Sequence, residues 1–571
     1  MAPHPRRGNT WSGRRPSAGR VVSAVFALAL VSTFVACGPA EPPPQARPAR
    51  IQIRTFGGVA EFYDTVTGER FTPRGHNLVE FRHIDDPVFG VVDHDMVLSP
   101  AAYDHAHIRG DLEAMHALGY NVVRVMLETC GALDCIYPYG ATGRVLNATY
   151  LDNIADLLQL AADTDLYVWI TSNTLPDIGY YLEYGYSGET ATISAGEATF
   201  LTATGIDAYR QYLQDLLREL VARDARLDRM FSLSLRNEQS YDTRYLPWTL
   251  TSGTVTPANG DSYDMALPSE RKRLAEDGLI YWTDRLTEAV KEVAPTTLVS
   301  IGFFPPDAPN PWRPGDFRLV ETSREIHEST ADFFDLHAYP APLGYSLAKL
   351  LENFGAVGFQ AKPLVMGEFG AFRSQYPDEY VAAQAMVDWQ NDGCQSVYDG
   401  WLTWHWHGDT IEGLWGSEGT PLGQALAPAL HPDPCAPVTV PNPNLAYLRP
   451  VIASNALPDE PASNAVDGTG AQWGSGNDAP QWLEIDLGVP VELGSVRLTV
   501  AQYPAGHTVH ELYGGATSPA TSLLHTFSGT TADGAVLVHT FGTPPTVRYL
   551  RVLTTSSVSW VAWQEIQAFA P

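Results

Sequence analysis

Two runs, LSLRNEQ at residues 233–239 and KPLVMGEFG at 362–370, decide the fold reading. Each is an apolar stretch of strand length that ends on a carboxylate, Glu238 in the first and Glu368 in the second. That pattern is expected where a parallel strand, buried on both faces, delivers one charged side chain to the mouth of a barrel. Working outward, strand candidates fall at 71–77, 121–127, 166–171, 231–238, 297–303, 333–339, 363–369 and 400–406. Between them, residues 107–118, 150–162, 207–222, 269–293 and 378–391 carry apolar residues at helical spacing. Eight strand–helix units within 51–430 predict an α/β fold, a (β/α)8 TIM barrel with long strand-to-helix loops. The segment 51–71, with turn signals at Gly57-Gly58 and Thr67-Gly68, is expected to form a hairpin closing the barrel floor.

The texture changes at 431–444, HPDPCAPVTVPNPN, a proline-rich stretch of the kind that separates domains. Beyond it, 445–571 has short alternating strands such as QWLEIDLG and VRYLRVLTT, and no good helix. This predicts an all-β sandwich following the barrel.

The chain starts with a basic leader (Arg6, Arg7, Arg14, Arg15, Arg20) and an apolar run over 21–36, too short for a comfortable membrane span. That run ends FVAC. Residues 1–36 therefore read as a lipoprotein-type signal peptide with Cys37 as the lipidated residue, and a plain secreted protein is the alternative. Residues 37–50 read as a proline-rich tether. Removing five arginines and no acid moves the formal charge from −29 to −34. So acidic a chain is a poor partner for nucleic acid or an anionic membrane surface, and membrane attachment is expected only through a lipid at Cys37. The expected location is the bacterial cell envelope or the exterior, and a monomer is expected. The four remaining cysteines suggest disulfides in an exported protein, with Cys130–Cys135 and Cys394–Cys435 the favoured pairing. Metal binding by these cysteines is the alternative, and no His/Cys spacing of zinc-site type supports it.

Barrel enzymes build their sites where strands end. Those ends here carry Arg74-Gly75-His76-Asn77, Arg124, Asn237-Glu238, His337-Ala338-Tyr339, Gly367-Glu368, and Trp404 with Trp406. Taken singly, each has a structural reading: a lone strand-end glutamate is usually a solvated loop carboxylate, Arg124 an ion pair, and His337 or Tyr339 packing. As an ordered set, GERFTPRGHN, DLEAMHALGYNVVRV, LRNE, DLHAYP, LVMGEFG and GWLTWHW resemble glycoside hydrolase family 5, the cellulase-like (β/α)8 retaining glycosidases of clan A. The resemblance implies Glu238 as general acid/base and Glu368 as nucleophile. It also implies substrate-binding or orienting roles for Arg124, Asn237, His337, Tyr339 and Trp404, and no cofactor for catalysis; His76, at a position usually small or apolar in the family, is a further candidate substrate-binding residue. The chain departs from the family at Gln239, where proline is common, and at the third strand end, where Asn173 stands in place of a histidine.

Downstream, ASNAVDGTGAQWGSG, QWLEIDLG and SWVAWQEIQAF resemble the discoidin, or coagulation factor V/VIII type C, domain, whose jelly-roll fold is shared by family 32 carbohydrate-binding modules. The resemblance implies a structural calcium held by Asp467 and Glu565, with oxygen ligands of the kind calcium takes. The plainer reading has Asp467 capping its own Asp-Gly turn. Loop aromatics Tyr503 and Trp560 are candidates for stacking on sugars or for packing. The expected function is an exported retaining glycosidase acting on a β-linked glycan, with a sugar-binding second domain. The alternative is a surface carbohydrate-binding or adhesion protein with an inactive barrel. Transglycosylation would use the same residues.

Overall fold

A computed structural model describes residues 45–79, 82–86, 90–94, 97–127, 135–306, 316–342, 344–408 and 413–571. The leader, Cys37 and Cys130 lie outside the described residues. Among the described residues no helix is long and apolar enough to cross a membrane.

Eight parallel strands close a barrel: β1 (Arg74–Asn77), β2 (Val122–Met126), β3 (Tyr167–Thr171), β4 (Met230–Ser234), β5 (Leu298–Phe303), β6 (Phe333–Leu336), β7 (Leu364–Phe369) and β8 (Tyr398–Thr403). Neighbours in sequence are neighbours in the sheet, and β8 returns to β1 with Trp401 opposite Arg74 and Thr403 opposite His76. The strands are buried throughout, which is why they read as apolar runs rather than as alternation. Around them pack α1 (His105–Ala117), α2 (Ala148–Asp163), α3 (Ala203–Ala222), α4 (Pro268–Val293) and α5 (Glu379–Ser396). Capping fixes several starts: Asp104 accepts from the Ala106 and His107 N–H groups, Asn147 from Thr149, and Asp378 from Tyr380 and Val381. Each helix buries one stripe, Leu151, Ile154, Leu157 and Leu158 in α2, and each such side chain contributes about 1.5–3 kcal/mol.

The expected floor hairpin is present: Ile51–Phe56 pairs with Val59–Asp64. Phe62 plugs the barrel, its ring 5.2 Å from Phe231 and 5.1 Å from Phe333. Ile51, Phe62, Val122, Tyr167, Trp169, Phe231, Leu298, Phe333, Val365 and Leu402 form one interior cluster. The lower barrel is thus filled, and an opening can exist only at the end where the strands finish.

The C-terminal part is a sandwich of a five-stranded and a four-stranded antiparallel sheet. Leu483, Ile485, Leu550 and Val552 from one sheet and Val496, Leu498, Trp563 and Ile566 from the other share its core. The 431–444 stretch is less of a free joint than its prolines suggest. Cys394 on α5 is disulfide-bonded to Cys435, with Cα atoms 5.4 Å apart, as the favoured pairing expected. Gln384, also on α5, donates to Val438 O and accepts from Val440 N–H. Asp378 Oδ2 accepts from Gln567 of the sandwich at 3.0 Å, while its Oδ1 caps α5. One carboxylate therefore ties the barrel helix to the second domain.

Candidate active site

The site forms where β7 is irregular. Between Met366 and Phe369 its register against β8 slips: Met366 faces Trp401, but Phe369 faces Thr403. Bulges of this kind re-aim a side chain near active sites, and here the re-aimed residue is Glu368. Gly367 is required beside it, because a Cβ at that position would overlap the Asp335 carboxylate. Glu238 arrives differently. The expected strand 231–238 ends as regular structure at Ser234, after which the chain still runs along β5: Gly302 N–H donates to Arg236 O, and Gln239 N–H to Gly302 O. A proline at 239 would have no N–H for that bond.

Glu238 and Glu368 meet across this opening, with carboxylate oxygens within 4.8 Å. His337 lies between them: its Nδ1 is 3.0 Å from Glu238 Oε1 and 3.2 Å from Glu368 Oε2, and its Nε2 is 3.1 Å from Asp335 Oδ2. Carboxyl groups at both nitrogens favour a proton on each and so the imidazolium form. Burial opposes that charge, but Glu368, Asp335 and Glu238 outweigh it and hold the histidine well above its ordinary pKa.

Arg124 on β2 organises the rest, entirely buried. Its Nη1 donates to Glu368 Oε1 at 2.8 Å and to Asn77 Oδ1 at 2.7 Å, and its Nη2 donates to Asn237 Oδ1 at 2.6 Å and pairs with Asp335 at 3.1 Å. A planar fork serves four partners, which an ammonium group cannot do. Tyr339 OH donates to Glu368 Oε2 at 3.1 Å. Trp404 stands beside them, packed with Val79, Met126, Leu414, Tyr339 and Phe372. Trp406, two residues on, turns outward against His76.

Of the residues expected from sequence, Glu238, Glu368, Arg124, Asn237, His337 and Tyr339 are therefore brought together, and Trp404 lies alongside. One is placed differently. His76 sits on the outer face of β1, bonded to Thr403 Oγ1 and packed against Tyr120 and Trp406. Burial pushes its pKa down to about 3, so it stays neutral there. Strand alternation sends its neighbour inward instead: Asn77 accepts from Arg124 and donates to Gly367 O and Thr403 O. His337, only 1 % exposed, lies beneath the two glutamates and contacts both.

Sequence reasoning missed Asp335 and Arg318. Asp335 was within reach, since period-two alternation in DLH puts it on the same face as His337. It accepts from Gly367 N–H at 2.8 Å as well as from Arg124 and His337. Arg318 comes from the short pairing of Arg318–Leu319 with Tyr241–Asp242. Its guanidinium lies 3.5 Å over the Phe304 ring, with Nη1 3.4 Å from Glu238 Oε2. No local pattern announces it.

In the sandwich, Asp467 and Glu565 come together at the loop after Val466. Glu565 Oε2 accepts from Gly468 N–H, and Asp467 Oδ1 from Thr469 N–H. Glu565 Oε1 is buried with no partner, and burial together with Asp467 drives that carboxyl well above its ordinary range. An orphaned carboxylate oxygen beside a second carboxylate is a donor set that suits calcium. Residues 450–568 match the family model of the F5/8 type C domain. That domain presents Tyr503 and Trp560, both exposed, on loops at one end.

No curated protein matches the chain. Among solved structures, the endo-1,4-β-mannanase from Rhizomucor miehei is 16% identical, with 67% of this chain and 99% of that one covered and a TM-score of 0.47. The exo-β-1,4-mannosidase Op5Man5 from Opitutaceae bacterium strain TAV5 is 18% identical, covering 62% of this chain and 55% of that one, TM-score 0.39. The family 32 carbohydrate-binding module of C. perfringens NanJ, in complex with galactose, is 19% identical over 21% of this chain and 91% of that one, TM-score 0.19.

Proposed function

We propose that this chain is an exported retaining glycoside hydrolase cleaving a β-linked glycan. One observation carries the reading: Glu238 and Glu368 place carboxylate oxygens within 4.8 Å of each other over the shared His337 ring. Retaining glycosidases hold their two carboxyl groups about 5–5.5 Å apart, whereas inverting ones need about 6.5–9.5 Å to admit a water.

In the first step, Glu368 attacks the anomeric carbon while protonated Glu238 gives its proton to the departing oxygen. In the second, Glu238 takes a proton from water, which displaces Glu368. Arg124 and Tyr339 hold Glu368 from both oxygens, so little reorganisation remains when its charge disperses. Because Arg124 occupies the Asn237 carbonyl, the Asn237 amide is oriented to donate to a sugar 2-hydroxyl. Trp404 offers an apolar face for the ring.

The F5/8 type C domain would hold the enzyme near its glycan, with Asp467 and Glu565 binding a structural calcium. The Cys394–Cys435 bridge supports an oxidising location outside the cytoplasm, in keeping with a lipid anchor at Cys37. Turnover on a panel of aryl β-glycosides, β-glucans and β-mannans tests the reading. Product with retained configuration, lost in Glu368→Ala, is the expected result. An inert wild-type protein that still binds glycans would mean an adhesion protein.

A further inference from the structure

A second cluster of ligating side chains lies on the outer rim of the barrel, apart from the glutamate pair. His107 and Asp111 stand one turn apart on α1, and His407 follows the end of β8. His407 Nε2 is 3.1 Å from Asp111 Oδ2, and His107 Nε2 is 3.7 Å from the same oxygen. All three candidate ligand atoms fall within 4.8 Å of one another, and the two imidazoles lie nearly parallel with centroids 5.3 Å apart. Behind His407, Glu418 Oε2 is 2.9 Å from Nδ1. The loop is pinched to bring it there: Ser417 and Glu418 N–H groups both donate to Trp406 O, and Gly416 lies so close to the Gly408 backbone that it can carry no side chain.

We propose that His107, Asp111 and His407 bind one divalent transition-metal ion of the zinc class, pinning the loop after β8 to α1. Two residues at i and i+4 share a helix face, a spacing that converges on one ion. Two imidazoles with one carboxylate form a borderline-soft donor set that suits zinc. At metal–ligand lengths of about 2.0–2.2 Å, tetrahedral ligands stand roughly 3.3 Å apart, close to the 3.1 and 3.7 Å separations here. Glu418 supplies the outer partner that fixes the orientation of a metal-binding histidine and raises its basicity. Asp111 is buried while His107 is half exposed, so the fourth position opens toward solvent. The loop held this way carries Trp404, so the ion would steady the aromatic face of the neighbouring site from outside.

The test is titration of ZnCl2 into the full chain, purified without a histidine tag and stripped with chelator, followed by calorimetry and thermal melting. About one ion per chain, a higher melting temperature with zinc, and intense tetrahedral visible bands with Co2+ are expected. His107→Ala and His407→Ala should each weaken binding more than about 10-fold, and His107→Ala, at a half-exposed position, should leave the melting temperature of the metal-free protein unchanged. Glu368→Gln should bind zinc as the wild type does, which separates this site from the catalytic carboxylates. His107→Ala alone decides the matter if His407→Ala fails to fold, because His107 lies at the surface. No saturable uptake by the wild type, or uptake undiminished in His107→Ala, overturns the proposal.

Discussion

Asp335 and Gly367 meet at a point where the glycine can carry no side chain: Gly367 N–H donates to Asp335 Oδ1 at 2.8 Å, and a Cβ there would overlap that carboxylate. Asp335 in turn anchors Arg124 and His337, so the residue beside Glu368 sets the geometry beneath both glutamates. Gly367→Ala should lower kcat by about 100-fold or more through a displacement on the order of 1 Å, and cost about 1–3 kcal/mol of stability. Steady-state kinetics and thermal melting of the variant check both figures.

Arg124→Lys keeps the charge and loses the fork. Four partners now served by one planar group would compete for a single ammonium. Activity should fall about 100- to 1,000-fold with KM changed little, since the loss is to the transition state. Arg124→Met, which takes the guanidinium away from Glu368 and Asp335, should cost about 3–5 kcal/mol. Comparison of the two variants by kinetics and melting separates the catalytic from the structural share.

His337 gives a pH signature. Its folded pKa lies well above its ordinary value because Glu368, Asp335 and Glu238 outweigh burial. A raised folded pKa contributes stability that is fully present below the unfolded value of about 6.5 and is lost as pH rises through the folded value. The melting-temperature advantage of wild type over His337→Asn should therefore be greatest at or below pH 6 and shrink on the alkaline side. An advantage that grows with pH would contradict the imidazolium.

Calcium should stabilise the F5/8 type C domain. With Glu565 Oε1 buried and unpartnered, chelation leaves two facing carboxyls at the Asp467 loop. EGTA should lower the melting temperature and added calcium restore it, whereas Glu565→Gln should melt at the same temperature in either condition.

How much of this was legible depended on whether a residue's neighbours lay along the chain or across it. Most strands were readable because they are buried on both faces, and stretches such as MFSLS and LVMGEF have no other home. The glutamate pair followed from strand order. The parity of RGHN was harder: polar groups end both phases of that short strand, and only the contact between Asn77 and Arg124 shows that His76 faces outward. Arg318 lies 80 residues from the glutamate it approaches, reaching it through a two-residue pairing with no periodicity to detect. Asp378, which reads as a helix cap alone, also holds Gln567 of the second domain, a role visible only once the two are packed.

Trapping the covalent intermediate tests the central claim most directly. A 2-deoxy-2-fluoro β-glycoside with an activated leaving group, chosen from the sugars the enzyme turns over, should inactivate it in a time-dependent way. Peptide mass spectrometry should place a single glycosyl adduct on Glu368. An adduct on Glu238, or turnover with inverted product and no adduct, would contradict the account.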